Sequence, residues 1–574
     1  MWFGVDSAYS PSDPGHISQE DFMDAVTVTP PPVNEPVGTF APGTPERARL
    51  QAKLTELSDM SLEIPHVIGG QERRSAGEVV DVVQPHRHST VLGTITIAEA
   101  RDAADAIAAA AAAAPGWRAL SFDERAAVFL RAADLLAGPW RETVSAATML
   151  GQSKTAYQAE IDAPCELVDF WRFNVHFARG ILAGQPISTP GVWNRVEYRP
   201  LEGFVYAVTP FNFTAIAANL PTAPALMGNT VVWKPSPTQA FSAYWTMRLL
   251  EAAGLPPGVI NLVHGHGPEV SAVALADRRL AGIHFTGSTG TFQHLWRAVG
   301  ENIAGYDTYP RLVGETGGKD FVVAHSSADP DVLSTALIRG AFDYQGQKCS
   351  AASRAFVPKS VWSRMSGDFL AKVSELTYGD ITDFTNFGGA LIDRHAFERN
   401  AEALARAKAT PSLTVLTGGR ADDSIGFFVE PTVLLGEDPT DEAFRKEYFG
   451  PILAVHVYDD TAPAGFDAVL DLVDRGSAYG LTGAVIADDR TAVATASERL
   501  RYAAGNFYIN DKPTGAVVGQ QPFGGSRASG TNDKAGSAQN LLRWTSARTI
   551  KETFVPPTDH RYPHQAVATE AGKR

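Results

Sequence analysis

Residues 311–354 read RLVGETGGKDFVVAHSSADPDVLSTALIRGAFDYQGQKCSAASR, and they contain a carboxylate, Glu315, before a glycine pair and a thiol, Cys349, after a small polar run. The apolar run 321–324 is typical of a buried strand, and Asp329 followed by a proline is typical of a helix start. A carboxylate and a thiol separated by one strand and one helix can face each other across a cleft. The stretch therefore predicts an α/β layer fold with both groups at one cleft.

Two readings of this pair stay open at this point. Cysteine is the strongest common nucleophile among side chains, and a nearby carboxylate can activate the water that later releases a thioester. The alternative is a glycine turn followed by an ordinary buried cysteine, because free cysteine is among the most buried residue types.

Composition narrows the class of protein. A chain of 574 residues is long enough for more than one domain, and 44% hydrophobic with 20% charged residues is ordinary for a globular protein. A formal net charge of −15 argues against a nucleic-acid or anionic-membrane surface. No apolar run approaches the roughly 20 residues that span a bilayer. No metal site is predicted.

Cysteine usage indicates the compartment. Only two cysteines occur, Cys165 and Cys349, so no disulfide framework holds the fold. Cys165 lies in a helical stretch over 158–177 without a basic neighbour that would favour a thiolate, and we expect it to be core. A reducing compartment suits this pattern, and we expect a cytoplasmic protein.

The two ends of the chain read as peripheral segments. Residues 1–60 lack the features of a secretory signal or a transit peptide, and a proline-rich run within them cannot form a helix. We interpret 1–60 as an N-terminal arm that is partly disordered and packs on a neighbour. The tail over 557–574 is expected to be disordered.

Helical signals dominate from residue 96 to about residue 176. Two capping boxes are predicted, one formed by Thr96 with Glu99 and one formed by Ser121 with Glu124. The second opens an amphipathic helix.

An alternation of strands and helices follows. Strands are predicted at 229–235, 259–263 and 282–286, with helices between them, and this order implies a parallel, doubly wound sheet. The G-x-G-x-x-G fingerprint is not found after these strands. The turn Gly287-Ser288-Thr289-Gly290-Thr291 is the better phosphate site, because helix N-terminal amides attract an anion. Lys234 lies at a strand's carboxyl end, where nucleotides bind in open α/β sheets.

Two motifs carry a resemblance to a known family. VGETGGK at 313–319 and GQKCS at 346–350 resemble the paired signature of the aldehyde dehydrogenase superfamily, with Thr316 in place of the usual leucine. Further matches run from about Trp117 to Phe554. QGQKCSA at 345–351 and NDKPTGA at 510–516 resemble the branch that oxidises 1-pyrroline-5-carboxylate.

The resemblance implies a fold and an activity. It implies an α/β aldehyde dehydrogenase fold with a Rossmann-like NAD-binding domain over 61–188 and 204–316, a catalytic domain over 317–535, and a small β oligomerisation arm over 189–203 and 536–556. A hairpin is expected near 193–203. The implied reaction is the NAD-dependent oxidation of L-glutamate γ-semialdehyde to L-glutamate through a cysteine thiohemiacetal and a thioester, in proline catabolism.

The resemblance also assigns site residues. Cys349 is the nucleophile, Glu315 the base that activates water, and Asn212 the donor to the oxyanion, although an asparagine at a helix start could simply be a cap. Lys348 and helix amides are expected to favour the thiolate. The cofactor set is Thr209, Lys234, Gly287, Ser288, Thr289, Gly290, Thr291, Glu447 and Phe449. The substrate set is Ser350, Gly515, Ala516, Phe213, Phe523, Lys348 and Glu166, with Glu166 paired to Lys348 or to the substrate ammonium.

Three alternatives remain open. They are an aldehyde dehydrogenase without amino-acid recognition, a reductive relative acting on glutamyl phosphate, and a non-enzymatic structural protein. NADP use is a weaker alternative to NAD, because Pro237 occupies a position where many NAD-specific relatives carry a glutamate. The expected partners are a second copy of the chain in a dimer or higher oligomer, and a proline dehydrogenase.

Overall fold

The computed structural model of the chain describes residues 25–463 and 465–565. The disorder predicted for the start of the N-terminal arm and for the end of the tail therefore falls outside the described residues. Among those residues, no helix is long and apolar enough to cross a membrane.

The helices lie mostly between the strands, as the alternating pattern predicts. They are α1 (Pro45–Ser58), α2 (Ala100–Ala119), α3 (Phe122–Ala137), α4 (Arg141–Gln152), α5 (Ala156–Glu160), α6 (Glu166–Ala183), α7 (Thr214–Leu226), α8 (Ala240–Ala252), α9 (Gly267–Ala276), α10 (Thr289–Glu301), α11 (Pro330–Phe342), α12 (Lys359–Ser374), α13 (Arg394–Ala409), α14 (Gly465–Arg475), α15 (Arg490–Arg499) and α16 (Ala538–Leu542).

The strands fall into two large sheets and several small ones. They are β1 (Leu62–Ile64), β2 (His66–Ile68), β3 (Gln71–Arg73), β4 (Val79–Gln84), β5 (Arg87–Thr96), β6 (Val192–Pro200), β7 (Phe204–Thr209), β8 (Thr230–Pro235), β9 (Ile260–Leu262), β10 (Leu280–Thr286), β11 (Arg311–Glu315), β12 (Asp320–Ala324), β13 (Ala352–Pro358), β14 (Leu413–Thr417), β15 (Ala421–Asp422), β16 (Phe428–Val429), β17 (Thr432–Gly436), β18 (Ile452–Tyr458), β19 (Tyr479–Gly480), β20 (Thr482–Ile486), β21 (Asn506–Ile509), β22 (Ser526–Arg527) and β23 (Thr545–Thr553).

The first large sheet has the order β11-β10-β7-β8-β9-β2-β3. Strands β11 to β9 in this order are parallel, and β2 and β3 extend the sheet in antiparallel fashion. The fully buried apolar side chains of β7 and β8 pack against the helices on both faces, as expected for parallel strands. The predicted parallel α/β sheet is confirmed.

The second large sheet has the order β14-β17-β18-β13-β12-β20-β21. All neighbours in it are parallel except β14 with β17. Only the four residues 316–319 separate the last residue of β11 in the first sheet from the first residue of β12 in the second. The carboxyl ends of one sheet are thereby brought to the amino ends of the other.

A separate two-stranded ribbon is formed by β6 and β23. The two strands pair antiparallel in unbroken register from Thr545 opposite Pro200 to Thr553 opposite Val192. The hairpin expected near 193–203 is not formed, because β6 leaves for the ribbon while β7 enters the first large sheet. The glycine turn between them joins two different sheets.

Helix starts agree with one capping prediction and correct the other. Ser121 and Glu124 form the predicted capping box at the start of α3. Thr96 ends β5, so it is not a cap; the box at the start of α2 is formed by Glu99 with Asp102. The helix predicted over 158–177 is interrupted by a π-helical turn at Ile161–Cys165.

Asn229 ties the root of the ribbon to the first sheet. This residue is fully buried, and its Oδ1 accepts from the backbone N of Leu201 at 2.9 Å. Its Nδ2 donates to the carbonyls of Pro224 and Trp544, each at 2.9 Å. The Pro224 carbonyl also accepts from the backbone N of Asn229 at 3.1 Å, so the side chain matters most to the buried backbone groups of Leu201 and Trp544.

We expect Asn229→Ala to lower the free energy of unfolding by about 3 kcal/mol or more, because each buried polar group left unpaired costs about 1–3 kcal/mol. Denaturant unfolding measures the loss. The control is Asn302→Ala, which removes one bond from a half-exposed amide to the Leu275 carbonyl. Equal losses in the two variants would contradict this account.

Candidate active site

The candidate site lies where the two large sheets meet end to end. Asn212, just after β7, contacts the loop before β13, and the backbone N of Gly318 donates to Glu447 Oε1, just before β18, at 2.8 Å. Glu315 ends β11 on the same side. Ligands of open α/β sheets bind at the carboxyl ends of the strands, and this junction is such a place.

Cys349 follows a strained loop between α11 and β13. Tyr344, Gln345 and Gly346 have positive φ values of 49°, 52° and 65°, which non-glycine residues rarely adopt. A Cβ at position 346 would lie 2.3 Å from the carbonyl O of Gly450, so only glycine fits there. Gln345 Nε2 donates to two backbone carbonyls at 3.1 and 2.7 Å. These buried bonds hold the loop that presents the thiol.

Asn212 directs its side-chain amide at this loop. Its Nδ2 donates to the carbonyl of Gln347, two residues before Cys349, at 3.0 Å. The N-cap of α7 is Phe213, so Asn212 is not a helix cap. A carboxamide has two N–H donors, and the described residues use one. The second remains for an oxyanion that forms near the thiol.

Glu315 faces the glycine-rich segment after β21. Its Oε2 accepts from the backbone N of Gly525 at 3.2 Å. Burial raises the pKa of Glu315 well above its usual range, although the Gly525 amide and the Lys534 ammonium oppose the shift. A carboxyl group with a raised pKa is a stronger base once it is ionised.

The thiol of Cys349 lies among carboxylates. Burial raises its pKa well above the usual value, and Asp320, Glu447 and Glu315 raise it further. Burial also raises the pKa of Glu447 to about 7. Burial and these carboxylates therefore favour the protonated thiol, which is opposite to the expectation that Lys348 and helix amides favour the thiolate.

The carboxyl end of β8 and the turn before α10 carry several of the residues assigned to a cofactor. Lys234 is 6% exposed and has no carboxylate within 4.0 Å among the described residues. Burial lowers the pKa of Lys234 to about 8. Ser288 caps α10 by accepting from the backbone N of Thr291 at 3.2 Å, and a Cβ at Gly290 would meet open space. The N-terminus of α10 is thus accessible.

Two other assigned residues are held by their neighbours. Thr209 Oγ1 accepts from Trp233 Nε1 at 3.0 Å, which fixes the end of β7 against β8. Phe449 has a positive φ of 54°, and its ring meets that of Phe211 edge-on at 5.8 Å between centroids. Backbone strain of this kind is common at ligand sites.

The segment 514–521, which we call the anchor loop, reaches the residue after Cys349. Ser350 Oγ and Thr514 Oγ1 lie 2.8 Å apart in a hydrogen bond. Gly515 has a φ of 95°, which favours glycine, and it is exposed beside the half-buried Ala516. Two of the predicted substrate residues are therefore next to the thiol's own loop.

The two assigned phenylalanines are fixed in different ways. Phe213 lies under the Lys154 ammonium, with Nζ 4.3 Å from the ring centroid. Phe523 is held through its backbone, which pairs with that of Ala535 at 3.0 and 2.7 Å.

A buried charge cluster lies behind Phe213. Lys154 Nζ contacts Asp162 Oδ2 at 2.5 Å, and both side chains are almost fully buried. Asp162 belongs to the π-helical turn, and extra-residue turns of this kind occur often at functional sites. Burial lowers the pKa of Lys154 to about 8, against the attraction of Asp162.

Glu166 and Lys348 are near this cluster but do not pair. No ion pair within 4.0 Å joins these two side chains among the described residues. Burial, and then the charge of Asp162, raise the pKa of Glu166 well above its usual range. Lys348 is 5% exposed and lines the same small cavity as Cys349.

Cys165 is buried at 5% exposure, as predicted, but its surroundings are polar. Arg141 Nη2 lies 3.4 Å from its sulfur, which corrects the expectation of no basic neighbour. Burial and the Glu160 carboxylate nevertheless raise the pKa of this thiol. Cys165 is thus a protonated interior residue.

Sequence reasoning missed five residues at the site, which are Lys154, Asp162, Asp320, Gln347 and Thr514. All five are buried; Asp320, Gln347 and Thr514 act through contacts with residues distant in sequence, and Lys154 meets Asp162 eight residues on, a spacing that no regular helix pattern predicts. The one usable signal was the proline inside the predicted helix, which marks the π-helical turn.

Comparisons with known proteins agree with this geometry. A sequence model described as the aldehyde dehydrogenase family matches residues 72–550. The mitochondrial delta-1-pyrroline-5-carboxylate dehydrogenase of Bos taurus is 49% identical over 532 residues, or 92% of this chain and 94% of its own. The Delta-pyrroline-5-carboxylate dehydrogenase from Mycobacterium tuberculosis, solved with NAD, is 69% identical with a TM-score of 0.92, and the match covers 95% of this chain and 100% of that one.

A longer protein shares the same fold. Proline utilization A from Bdellovibrio bacteriovorus is 29% identical with a TM-score of 0.85. The match covers 91% of this chain but only 53% of that one.

The environment of Cys349 predicts how its reactivity depends on pH. Because its pKa is raised above 9, the thiolate fraction in the ligand-free protein should rise about tenfold per pH unit from pH 7 to 9. The iodoacetamide labelling rate should follow that slope. Cys349→Ala should lose the labelling and Cys165→Ala should keep it. A rate that levels off below pH 8 would show a depressed pKa instead.

Proposed function

Because the chain belongs to the aldehyde dehydrogenase family, we propose that it oxidises L-glutamate γ-semialdehyde to L-glutamate with NAD as the oxidant. This aldehyde is the open form of 1-pyrroline-5-carboxylate, and its oxidation is the second step of proline catabolism. Relatives at 49% and 69% identity are named for 1-pyrroline-5-carboxylate, and the second was solved bound with NAD.

The proposal rests on the short loop 347–350, which contacts both the oxyanion donor and the anchor loop. The backbone carbonyl of Gln347 accepts a hydrogen bond from Asn212 Nδ2 at 3.0 Å. Ser350 Oγ is hydrogen-bonded to Thr514 Oγ1 of the anchor loop at 2.8 Å. Cys349 lies between these two contacts. The nucleophile is therefore flanked by an oxyanion donor on one side and by the anchor loop on the other.

The first half of the reaction builds on Cys349. The Cys349 thiol first loses its proton to water; its sulfur then bonds to the aldehyde carbon, and the carbonyl oxygen becomes the oxyanion of a thiohemiacetal. The free N–H of Asn212 and the backbone N–H of Cys349 donate to that oxygen; one such donor contributes about 3–4 kcal/mol to the transition state. NAD, when bound, supplies the acceptor for the hydride that leaves the carbon. A thioester on Cys349 remains.

The second half needs a base, and we assign Glu315. Its carboxylate takes a proton from water, the water oxygen attacks the thioester carbon, and the Cys349 sulfur leaves with glutamate as the product. Burial raises the pKa of Glu315 well above that of an ordinary carboxyl group, so its carboxylate is the stronger base once it is ionised. A reductase acting on glutamyl phosphate would have no use for this base.

The carboxyl end of β8 and the start of α10 suit a dinucleotide. The accessible N-terminus of α10 over 287–291 suits the pyrophosphate, because its amides attract an anion. Lys234, buried without a carboxylate partner, suits the adenosine ribose hydroxyls, and Glu447 suits those of the nicotinamide ribose. Thr209 and Phe449 complete the set, with Phe449 on the nicotinamide side. Pro237 leaves no carboxylate there to reject the 2′-phosphate of NADP.

The amino-acid end of the substrate meets the anchor loop. We assign its carboxylate to the backbone amides of Gly515 and Ala516 and to the Ser350 hydroxyl. Phe213 and Phe523 flank the methylene chain. We assign the substrate ammonium to Glu166, on which the charge of Lys348 also acts. A dehydrogenase for simple aldehydes would not need such a loop.

The domain roles follow from the positions of the sheets. The first sheet lies within 61–188 and 204–316 and takes the cofactor role, and the second lies within 317–535 and takes the catalytic role. The segments 189–203 and 536–556 contain the ribbon, whose strands leave unpaired edges in a single chain. Trp193 on it is 51% exposed. We therefore assign the subunit contact of a homodimer or larger homo-oligomer to the ribbon.

A partner and a compartment complete the proposal. The similarity to about half of proline utilization A supports a proline dehydrogenase as the source of substrate. Free thiols persist in a reducing compartment, and both Cys165 and Cys349 are unpaired, which supports a cytoplasmic location.

The substrate assignment predicts a selective effect of Ser350→Ala. Loss of one hydrogen bond to a carboxylate costs about 1.5–3 kcal/mol, so kcat/KM for glutamate semialdehyde should fall roughly 10- to 100-fold. Propanal, which has no carboxylate, should lose much less. NADH absorbance measures both. A native enzyme that prefers propanal, or equal losses on both aldehydes, would refute the assignment.

The role of Glu315 predicts a kinetic burst. Glu315→Gln should still form the thioester, giving about one NADH per site, and then stall because the water is not activated. Stopped-flow absorbance resolves the burst from the steady rate. Cys349→Ala is the control and should show neither phase. Loss of the burst in Glu315→Gln would place this residue earlier in the reaction.

A further inference from the structure

A segment before α1 is fastened to the protein although it forms no helix or strand. We call residues 33–40 the strap; they lie in an extended run from 25 to 44 without regular structure. The Glu35 side chain is only 10% exposed. This degree of burial shows that the strap occupies a specific place on the surface.

Arginines hold the strap through Glu35. Arg141 Nη1 on α4 donates to Glu35 Oε1 at 2.6 Å, and Arg172 Nη1 on α6 donates to Glu35 Oε2 at 2.8 Å. Arg141 Nη2 also donates to the carbonyl of Pro36 at 2.7 Å and to Glu160 Oε1 at 2.5 Å. Charge-assisted bonds of this kind are about twice as strong as neutral ones. The strap is thereby clamped across two helices.

Asn34 extends this clamp to the anchor loop. Its Nδ2 donates to Asp169 Oδ2 on α6 at 2.7 Å and to the carbonyl of Val518 at 2.8 Å. Its Oδ1 accepts from Gln520 Nε2 at 3.0 Å. The backbone N of Glu35 donates to the other oxygen of Asp169 at 2.7 Å. One amide therefore bonds the anchor loop to α6 from outside the site.

Asn34 joins α6 to the anchor loop, and these two elements carry the residues that we assign to the amino-acid end of the substrate. Asp169 lies three residues after Glu166, so both side chains project from the same face of α6. Val518 lies two residues after Ala516. A shift of the anchor loop away from α6 would move the Gly515 and Ala516 amides while leaving Cys349 and Asn212 in place.

At this end the anchor loop is also closed on itself, by the backbone N of Val517 donating to Gln521 Oε1 at 2.9 Å, and Val518 is buried in the core. Gly519 has a φ of 82°, and a Cβ there would lie 2.1 Å from the Phe173 ring, so the loop must pass close to α6 at that point. A chain with glycines at 515 and 519 loses much backbone freedom when it is ordered. The bonds from Asn34 oppose that loss.

We propose that Asn34 is a positioning residue that sets specificity for aldehydes bearing an α-carboxylate, by holding the anchor loop against α6. This inference rests on the proposed function, because it concerns the substrate contacts assigned there. It adds to them a residue about 480 positions away in the sequence. Simple aldehydes do not reach the anchor loop and do not depend on Asn34.

The test compares two substrates in the full-length enzyme. In Asn34→Ala, kcat/KM for glutamate semialdehyde should fall about tenfold or more, mainly through KM, while propanal kinetics stay within about twofold of native. Asn34→Asp keeps the shape, loses the donors and sets a charge against Asp169, so it should be at least as impaired. The control on the same strap is Thr39→Ala, which removes two long, exposed contacts, with Glu46 and with the backbone N of Ala41, and should match the native enzyme.

A second measurement reports on the loop itself. Hydrogen exchange of the amides over 514–521 should be faster in Asn34→Ala than in Thr39→Ala. Equal losses on both aldehydes, or unchanged kinetics with glutamate semialdehyde, would overturn the role of Asn34 alone. A native enzyme without preference for glutamate semialdehyde over propanal would overturn the proposed function and this inference with it.

Discussion

The hydrogen bond from the Asn212 side chain to the carbonyl of Gln347 is the contact on which the site depends. Asn212 follows a strand of the first sheet, and Gln347 lies in the loop that leads to the second, so this 3.0 Å bond crosses the junction between the sheets. Because it uses a backbone carbonyl two residues before Cys349, it fixes the distance between the oxyanion donor and the nucleophile. The strained loop at 344–346 can hold its positive φ values only because buried bonds such as this one surround it.

Burial of charge is the second constraint. At this junction it raises the pKa of acidic groups and lowers the pKa of lysines. Desolvation raises the pKa of Cys349, Glu315 and Glu447, and it lowers the pKa of Lys154 and Lys234. Buried charges without full pairing are costly, so proteins retain them mainly where a ligand completes the pairing. An incoming dinucleotide and an amino-acid aldehyde would supply such partners, for Lys234 and Glu447 on one side and for Glu166 and Lys348 on the other.

The strap connects the N-terminal part of the chain to the anchor loop of the candidate site. Arg141 and Arg172 hold Glu35 against two helices, and Asn34 carries the connection on to the anchor loop. The same α6 turn that receives the strap also carries Glu166 toward the site. Specificity for the amino-acid end of the substrate thus draws on residues at opposite ends of the sequence.

The sequence alone determined the strands, helices and motifs whose signals are local. Period and apolar runs predicted the parallel strands, the Ser121 box predicted the start of α3, and the motifs around Glu315 and Cys349 predicted the family. Only the tertiary structure decided that β6 and β7 belong to different sheets, that Lys154 pairs with Asp162, that carboxylates rather than cations dominate around Cys349, and that Asn34 meets Val518. The physical reason is that strand pairing, burial and desolvation depend on which residues come together in the folded chain. A periodic pattern along the sequence does not specify those contacts.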